Sequence, residues 1–241
     1  MQGVRGKHKL PGEFRESQNW IGGASLKDAY YIPPHHNEIH DLMSDLEKFL
    51  NNENLHTPPL LRIGIAHYQF ESIHPFLDGN GRLGRLLITL YLVSNKILDK
   101  PVLYLSDFFE RNRQHYYDNL SVVRTHNNLM QWLSFFLVGV IETAENSTQT
   151  FHEIIKLRKE IETKKIIKLG KRIPLALDLI RYLYTKPIVD SAEVAKALKV
   201  NVSTSNRLIQ DFEKLKILTE KTGFKRNRIF IFKQYLQLFQ K

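Results

Sequence analysis

A mainly α-helical chain in two modules is predicted by three observations. Apolar residues recur at helical spacing through most of the first 150 positions. Runs with strand character are few and short. Basic residues crowd into the last part of the chain, where the helical pattern gives way to a hairpin pattern.

The charge asymmetry is sharp. Residues 1–150 hold 14 Lys+Arg against 16 Asp+Glu, whereas residues 151–241 hold 21 against 9, so the basic excess lies wholly in the C-terminal part. That division argues for two modules with different partners. A basic module is an electrostatic footprint for nucleic acid, and equally for a solvated, soluble face. Cysteine is absent, which excludes disulfides and thiolate metal sites and fits a reducing, cytoplasmic setting. No apolar run is long enough to span a membrane, and MQGVRGKHKLPGEF lacks the apolar stretch of a secretory signal.

Along the chain, residues 38–50 place Ile39, Leu42, Met43, Leu46 and Leu50 on one helical face after the Pro33-Pro34 break. Residues 60–73 repeat the pattern through Ile63, Ala66, Phe70 and Ile73. Pro75 stops that helix, because the residue before a proline is pushed out of the helical region. Residues 82–98 are apolar nearly all round, which predicts a central, buried helix. Helices are also expected over 107–123, 127–145 and 150–168, with 101–106 extended. Gly170–Pro174 reads as a boundary. Beyond it come helices near 174–185, 191–200 and 205–216, then two β-rich runs around Lys221-Thr222-Gly223. Helix, short helix, turn, helix, hairpin is the order of a winged helix-turn-helix.

Residues 74–85, HPFLDGNGRLGR, carry the chemistry. Gly79 and Gly81 flank Asn80 just before a helix, which suits a nest of N–H groups at a helix N-terminus, an anion site. Arg82 and Arg85 share a face of the next helix's first turn, where they oppose the helix dipole and each other. A polyphosphate gripped by the arginine forks would offset that cost. Asp78 is a hard oxygen ligand suited to magnesium beside phosphate. His74 is a natural acceptor for a hydroxyl proton near neutral pH. Taken singly, each also has a structural reading: a tight turn, a salt bridge, a turn cap, a core histidine. Phe76 is a core anchor for the loop.

Other motif readings fail on context. Gly79-x-Gly81-x-x-Gly84 matches a dinucleotide fingerprint but follows a helix rather than a strand. A calcium loop starting at Asp78 would have Arg82 and Thr89 at ligand positions. His67, Glu71 and His74 share helical spacing without HExxH, and a structural role is expected for His67 and Glu71.

The run matches HxFx(D/E)GNGRxxR at every fixed position: His74, Phe76, Asp78, Gly79, Asn80, Gly81, Arg82 and Arg85. It therefore resembles the signature of the Fic family. PGEFRESQNWIGG (11–23) and HYY (115–117) also look like family elements, and a C-terminal winged helix is a common companion in bacterial members. The resemblance implies a helical Fic-type catalytic domain over 1–168 with a small β-hairpin flap, followed by a winged helix-turn-helix domain over 169–241. It implies transfer of AMP from Mg-ATP to a Tyr, Thr or Ser hydroxyl of a target protein, or of the enzyme itself. Removal of AMP, or another nucleotidyl transfer at the same site, is the alternative. His74 would be the base and Asp78 the Mg²⁺ ligand. The Gly79–Gly81 backbone and Asn80 would hold the α-phosphate, Arg82 the β-phosphate and Arg85 the γ-phosphate. A hairpin around Ala24–Ile32, with Ala29, Tyr30, Tyr31 and Ile32, would dock the target segment as an added strand. Tyr116, Tyr117 and Leu120 would line the adenine pocket, with core packing as the competing reading.

The inhibitory family motif (S/T)xxxE(G/N) has no match, so Arg85 is expected to be unrestrained by a glutamate of that motif and basal transfer to be high. Members with this layout usually have extra helical sequence upstream, so a truncated or a naturally short form is expected. In the basic module, Ser203, Ser205, Asn206 and Arg207 would open a DNA-recognition helix and Lys225, Arg226 and Arg228 would decorate the wing. A protein-interaction or dimerisation module, including a homodimer, is the rival reading.

Overall fold

The computed structural model describes residues 12–224 and 227–239. It divides into two compact units, Met1–Glu145 and Asn146–Lys241. The expected boundary at 168/169 lies inside the second of these.

In the first unit, α1 (Ile39–Asn51), α2 (Pro59–Ile73), α3 (Asn80–Ser94), α4 (Leu105–Arg111), α5 (Arg113–His126) and the start of α6 (Leu129–Glu160) follow one another. Their shared core includes Ile39, Ile63, Ile73, Ile88, Leu92, Phe108, Trp132 and Phe136. The central helix is α2, which buries Ile63, Gly64, Ala66, His67, Phe70, Glu71, Ser72 and Ile73. This corrects the expectation for α3, whose Leu86 and Leu90 are exposed. Proline at the first turn of α2 suits a position whose N–H has no helical acceptor. The Trp132 indole N–H donates to the Gly64 carbonyl at 2.9 Å, pinning α6 against α2.

Two further expectations change. The helix expected over 107–123 is broken at Asn112, whose side chain donates to the Phe108 carbonyl (3.0 Å) and closes α4. The two helices expected over 127–145 and 150–168 are one through Glu160, since the polar run 146–150 contains no glycine or proline to stop it. Residues 101–104 form no strand, and Leu105 already belongs to α4.

In the second unit, the end of α6, a π-helical turn over Ile161–Lys165 and 3-10 turns over Ile166–Arg172 lead into α7 (Ile173–Thr185). There follow β1 (Ile188–Val189), α8 (Ser191–Leu198), α9 (Val202–Lys214), β2 (Thr219–Glu220), β3 (Phe230–Ile231) and α10 (Lys233–Gln237). The strands form an antiparallel sheet in the order β1-β3-β2, with Ile188 opposite Ile231 and Thr219 opposite Ile231. Strand β1 adds to the expected hairpin. Leu179, Leu183, Val194, Leu208, Phe212 and Phe232 make a separate core. Helix α8 starts with a capping box, Asp190 accepting from Ala192 and Glu193 N–H while Glu193 accepts from Asp190 N–H. Helix α9 starts with Asn201 accepting from Thr204 N–H at 2.7 Å.

Among the described residues, no helix is long and apolar enough to cross a membrane.

Candidate active site

The site is built where α2 ends and α3 begins. Pro75 disfavours helical geometry at His74, which adopts φ 50°, ψ 59° as the left-handed cap of α2. That conformation is uncommon for a residue with a side chain. The surroundings over-determine it. The His74 N–H donates to the Phe70 carbonyl (3.0 Å), and its carbonyl accepts from Arg15 Nε (3.0 Å) and Asn19 Nδ2 (3.4 Å).

From His74 the chain loops back through Phe76, which packs on Phe14 and Phe70. Asn80 holds this loop shut: its Oδ1 accepts from the Phe76 N–H (2.9 Å) and its Nδ2 donates to the Phe76 carbonyl (2.7 Å). The buried Asn80 side chain is thus committed to the loop, and what it can present to an anion is its backbone N–H. Gly79, at φ 86°, takes the sharp turn that a side chain would strain. Helix α3 has no side-chain cap and no acidic residue in its first turn. The N–H groups of Asn80 and Gly81 precede any intrahelical acceptor.

These residues line a cavity of about 350 Å³ formed by His74, Leu77, Asp78, Gly79, Asn80, Gly81, Arg82, Arg85, Phe109, Glu110, Arg113, Tyr116 and Tyr117. Nine of the sequence-expected residues meet there. Leu120 does not: it is buried in the core of the first unit, on the competing reading. Glu110, Arg113, Phe109 and Leu77 join the lining without having been foreseen. Arg113 lies 3.8 Å from Glu110 and over the Tyr117 ring, so it shapes the α5 wall.

Among the described residues, no carboxylate is in ion-pair contact with Arg82 or Arg85. Arg85 Nε donates to Ser106 Oγ at 3.2 Å, and a Cβ placed on Gly81 would meet its guanidinium at 3.3 Å. A glycine there leaves the Arg85 guanidinium room at the mouth of the cavity. Asp78 is one hard oxygen donor beside it, and no cluster of three or more metal-ligating groups occurs among the described residues. One carboxylate completed by phosphate oxygens and water suits magnesium better than a metal held by protein alone.

Beneath the cradle sit two buried polar groups. His67 is fully buried against the rings of Phe109 and Trp132. Its Nδ1 donates to the Gly84 carbonyl (2.9 Å), because a carbonyl can only accept, and its Nε2 accepts from the Tyr116 hydroxyl (3.0 Å). His67 therefore joins α2, α3 and α5 and fixes the Tyr116 wall, the structural role its place in the helix suggested. Burial pushes its pKa down to about 4. Glu71 is also buried, and its Oε1 has no hydrogen-bond partner. Burial raises its pKa to about 7, partly opposed by Arg85 and Arg124. Gly84 is glycine for space, since a Cβ would lie 2.4 Å from that Oε1.

Burial also pushes the His74 imidazole down to about 4. The nearby Glu71 carbonyl opposes this, although buried Nδ1 makes no hydrogen bond of good geometry, and the charges of Arg15 and Arg124 add to the lowering. The ring is neutral at pH 7, as a proton acceptor must be.

The flap is smaller than the expected hairpin. One antiparallel bridge, Ile21 with Tyr31, closes over a helical turn at Leu26–Asp28. Tyr30 is 89% exposed and Ile32 is exposed, while Ala29 is part-buried. Tyr31 turns inward: its hydroxyl donates to the Ser72 carbonyl (2.9 Å) and its ring lies 3.6 Å beneath the Arg124 guanidinium.

In the basic unit, Ser203, Asn206 and Arg207 are exposed on α9. Ser205 is not a surface contact. It is fully buried and donates to the Ser191 carbonyl (2.8 Å), which ties α9 to α8. Arg228 is part-buried, pairs with Glu213 and covers the Phe230 ring. Lys225 and Arg226 lie outside the described residues.

Comparison with known proteins agrees with this geometry. Residues 1–92 match the model of the Fic/DOC family. The protein adenylyltransferase Fic of Drosophila erecta is 41% identical over 83 residues, covering 34% of this chain and 15% of that protein. Its counterpart from Aedes aegypti is 36% identical over 112 residues, covering 46% and 20%. The chain thus spans a fifth or less of the length of these curated relatives. The crystal structure of a Fic family protein from Desulfovibrio desulfuricans G20 aligns over 95% of this chain and 64% of that one, with TM-score 0.52 and 24% identity, a likeness of fold. Residues 1–92 accordingly carry a Fic/DOC family domain.

Proposed function

We propose that the first unit is a protein adenylyltransferase, moving AMP from Mg-ATP to a Tyr, Thr or Ser hydroxyl of a target protein. The observation that carries this reading is the open start of α3 beside a neutral imidazole: its first N–H groups and two arginines that no carboxylate among the described residues pairs with line one cavity, together with His74. Relatives named protein adenylyltransferase Fic, 36–41% identical over 83 to 112 residues, support it.

The roles follow from position. The Asn80 and Gly81 N–H groups meet the α-phosphate, where charge grows as the leaving pyrophosphate departs. Arg82 and Arg85 hold the β- and γ-phosphates. Asp78 would hold Mg²⁺, which when bound neutralises phosphate charge. His74 takes the hydroxyl proton, and the anionic nucleotide raises the basicity of its ring. Tyr116 and Tyr117 flank the base, and the exposed Tyr30–Ile32 edge receives the target backbone. Incubation with labelled ATP and Mg²⁺ tests this. Label should enter protein, and His74→Ala should lower transfer by about 10²–10⁴-fold with nucleotide binding retained. Wild-type protein that binds Mg-ATP to saturation and transfers no label contradicts it. An AMP-modified target offered in parallel separates transfer from AMP removal.

A second reading concerns residues 169–241, for which we propose a winged helix-turn-helix that binds DNA. The order α7, β1, α8, α9, β2, β3 and the exposed Ser203, Asn206 and Arg207 support it. Retardation of DNA that weakens steeply with salt is expected, and no retardation at low salt contradicts it.

A further inference from the structure

Among the described residues, Arg15 is a buried cation with no carboxylate partner. It is 2% exposed, and among the described residues every acceptor of its guanidinium is a backbone carbonyl. Nε donates to His74 O (3.0 Å), Nη1 to Ser17 O (3.1 Å), and Nη2 to Pro34 O (2.5 Å) and Ile73 O (3.4 Å). Its own backbone N–H donates to Pro75 O (2.9 Å).

These acceptors fall into two groups. Ile73 and His74 are the last carbonyls of α2, which lack helical donors and carry the negative end of the helix dipole. Ser17 and Pro34 lie at the two ends of the segment whose middle forms the Ile21–Tyr31 bridge. Two amides strengthen the same junction: Gln18 Nε2 donates to Pro33 O (2.9 Å), and Asn19 Nδ2 donates to His74 O (3.4 Å) and Phe76 O (3.2 Å). One planar fork thus grips both stems of the flap and the turn that presents the imidazole.

We infer that Arg15 is a positioning residue that sets the register of the target-docking flap against His74, with Asn19 as its auxiliary. This rests on the proposed adenylyl transfer. The reasoning is geometric. A docked hydroxyl is placed by the flap, and the base that takes its proton is placed by α2. Arg15 is the group that touches the backbone of both. It is absent from the lining of the nucleotide cavity. Its loss should therefore spare nucleotide binding and fall on the transfer step, where a misplacement of about 1 Å costs on the order of 10²-fold.

The test uses the full chain and Arg15→Lys. Lysine keeps a cation at the carbonyl end of α2 but has no fork to span four carbonyls, so the fold is retained where Arg15→Ala would bury unpaired acceptors. Mg-ATP affinity is measured by calorimetry, transfer at saturating nucleotide by labelling, and exchange of the Ile21, Tyr30 and Tyr31 amides by NMR. The variant should bind Mg-ATP within about twofold of wild type, transfer on the order of 10²-fold more slowly, and exchange those amides about tenfold faster. Asn19→Ala should show the same pattern with a loss of about tenfold. Transfer at the wild-type rate, or nucleotide affinity and transfer falling together, overturns the inference. If wild-type protein binds Mg-ATP but transfers nothing, the adenylyl-transfer reading fails, and amide exchange alone decides the staple: unchanged exchange rejects it and faster exchange upholds it.

Discussion

Two kinds of helix start in this chain are built in opposite ways. Helix α9 is closed by Asn201, and the buried Ser205 one turn in is spent on the Ser191 carbonyl. Helix α8 is closed by a reciprocal capping box. Helix α3 begins at Gly79 with no side-chain cap, carries two arginines where the dipole favours anions, and has beneath it the buried Glu71, whose Oε1 has no hydrogen-bond partner among the described residues. Caps of the first kind stabilise a fold by themselves. A start of the second kind, on the function proposed above, is one that an anion would complete. An uncapped start is shared with α2, α5 and α7; what sets α3 apart is that its glycine turn and two arginines line one cavity with His74, and the proposed nucleotide site rests on that.

The largest effect that sharpens this contrast is expected at Glu71. Its folded pKa of about 7 lies above the ordinary carboxylate value, so its contribution to stability is present at low pH and is lost as pH rises from about 4.5 to 7. Replacing Glu71 with Gln removes that loss. The variant should gain on wild type across this window, approaching about 3 kcal/mol at pH 7. Thermal melts at several pH values read the gain, and a difference that does not vary with pH refutes the buried, raised carboxyl. His67 and His74 run the other way. Their pKa values near 4 make their stability full above pH 6.5 and lost as pH falls toward 4.

Arg85→Ala comes next. Losing a charge-assisted hydrogen bond to phosphate costs about 1.5–3 kcal/mol, so Mg-ATP should bind about 10- to 150-fold more weakly while the melting temperature stays near wild type. Equal affinity in a calorimetric titration would remove Arg85 from the cradle. Gly84→Ala should reverse that pattern, destabilising the first unit by about 1–3 kcal/mol as a methyl is forced against Glu71 and His67. A denaturant midpoint unchanged from wild type would contradict the close approach of α2 and α3. Smallest is Asp190→Ala at the capped start of α8, which should cost about 1 kcal/mol of stability in the second unit and nothing in nucleotide affinity. An effect on Mg-ATP binding there would break the contrast between closed and open starts.

What the sequence reveals depends on how local the physics is. Helices α1 and α2 are legible because one apolar face repeats at helical spacing, and the stop at His74 because Pro75 forbids its continuation. The cradle is legible for the same reason: its glycines, Asp78 and arginines lie within one loop. The break at Asn112 is hidden because a side chain bonding its own helix end leaves no compositional mark. The single long α6 is hidden because 146–150 looks like a loop while containing nothing that stops a helix. Strand β1 escapes because two residues beside Pro187 make too short a run, and pairing with distant β3 is what defines it. Among site residues, Ser205 reads as exposed until α8 covers it, and Leu120 reads as a pocket wall until the core claims it. Arg15 could not be read at all as a partner of His74. Its acceptors at the end of α2 are carbonyls 58 and 59 residues away, and a backbone carbonyl has no sequence identity.

The most direct measurement is a crystal structure of the chain with Mg²⁺ and a non-hydrolysable ATP analogue. The account predicts the polyphosphate at the start of α3, touching the Asn80 and Gly81 N–H groups and both Arg82 and Arg85, with the metal on Asp78 and the α-phosphate facing His74. A nucleotide bound elsewhere on the chain, or one that leaves both arginines untouched, would contradict it.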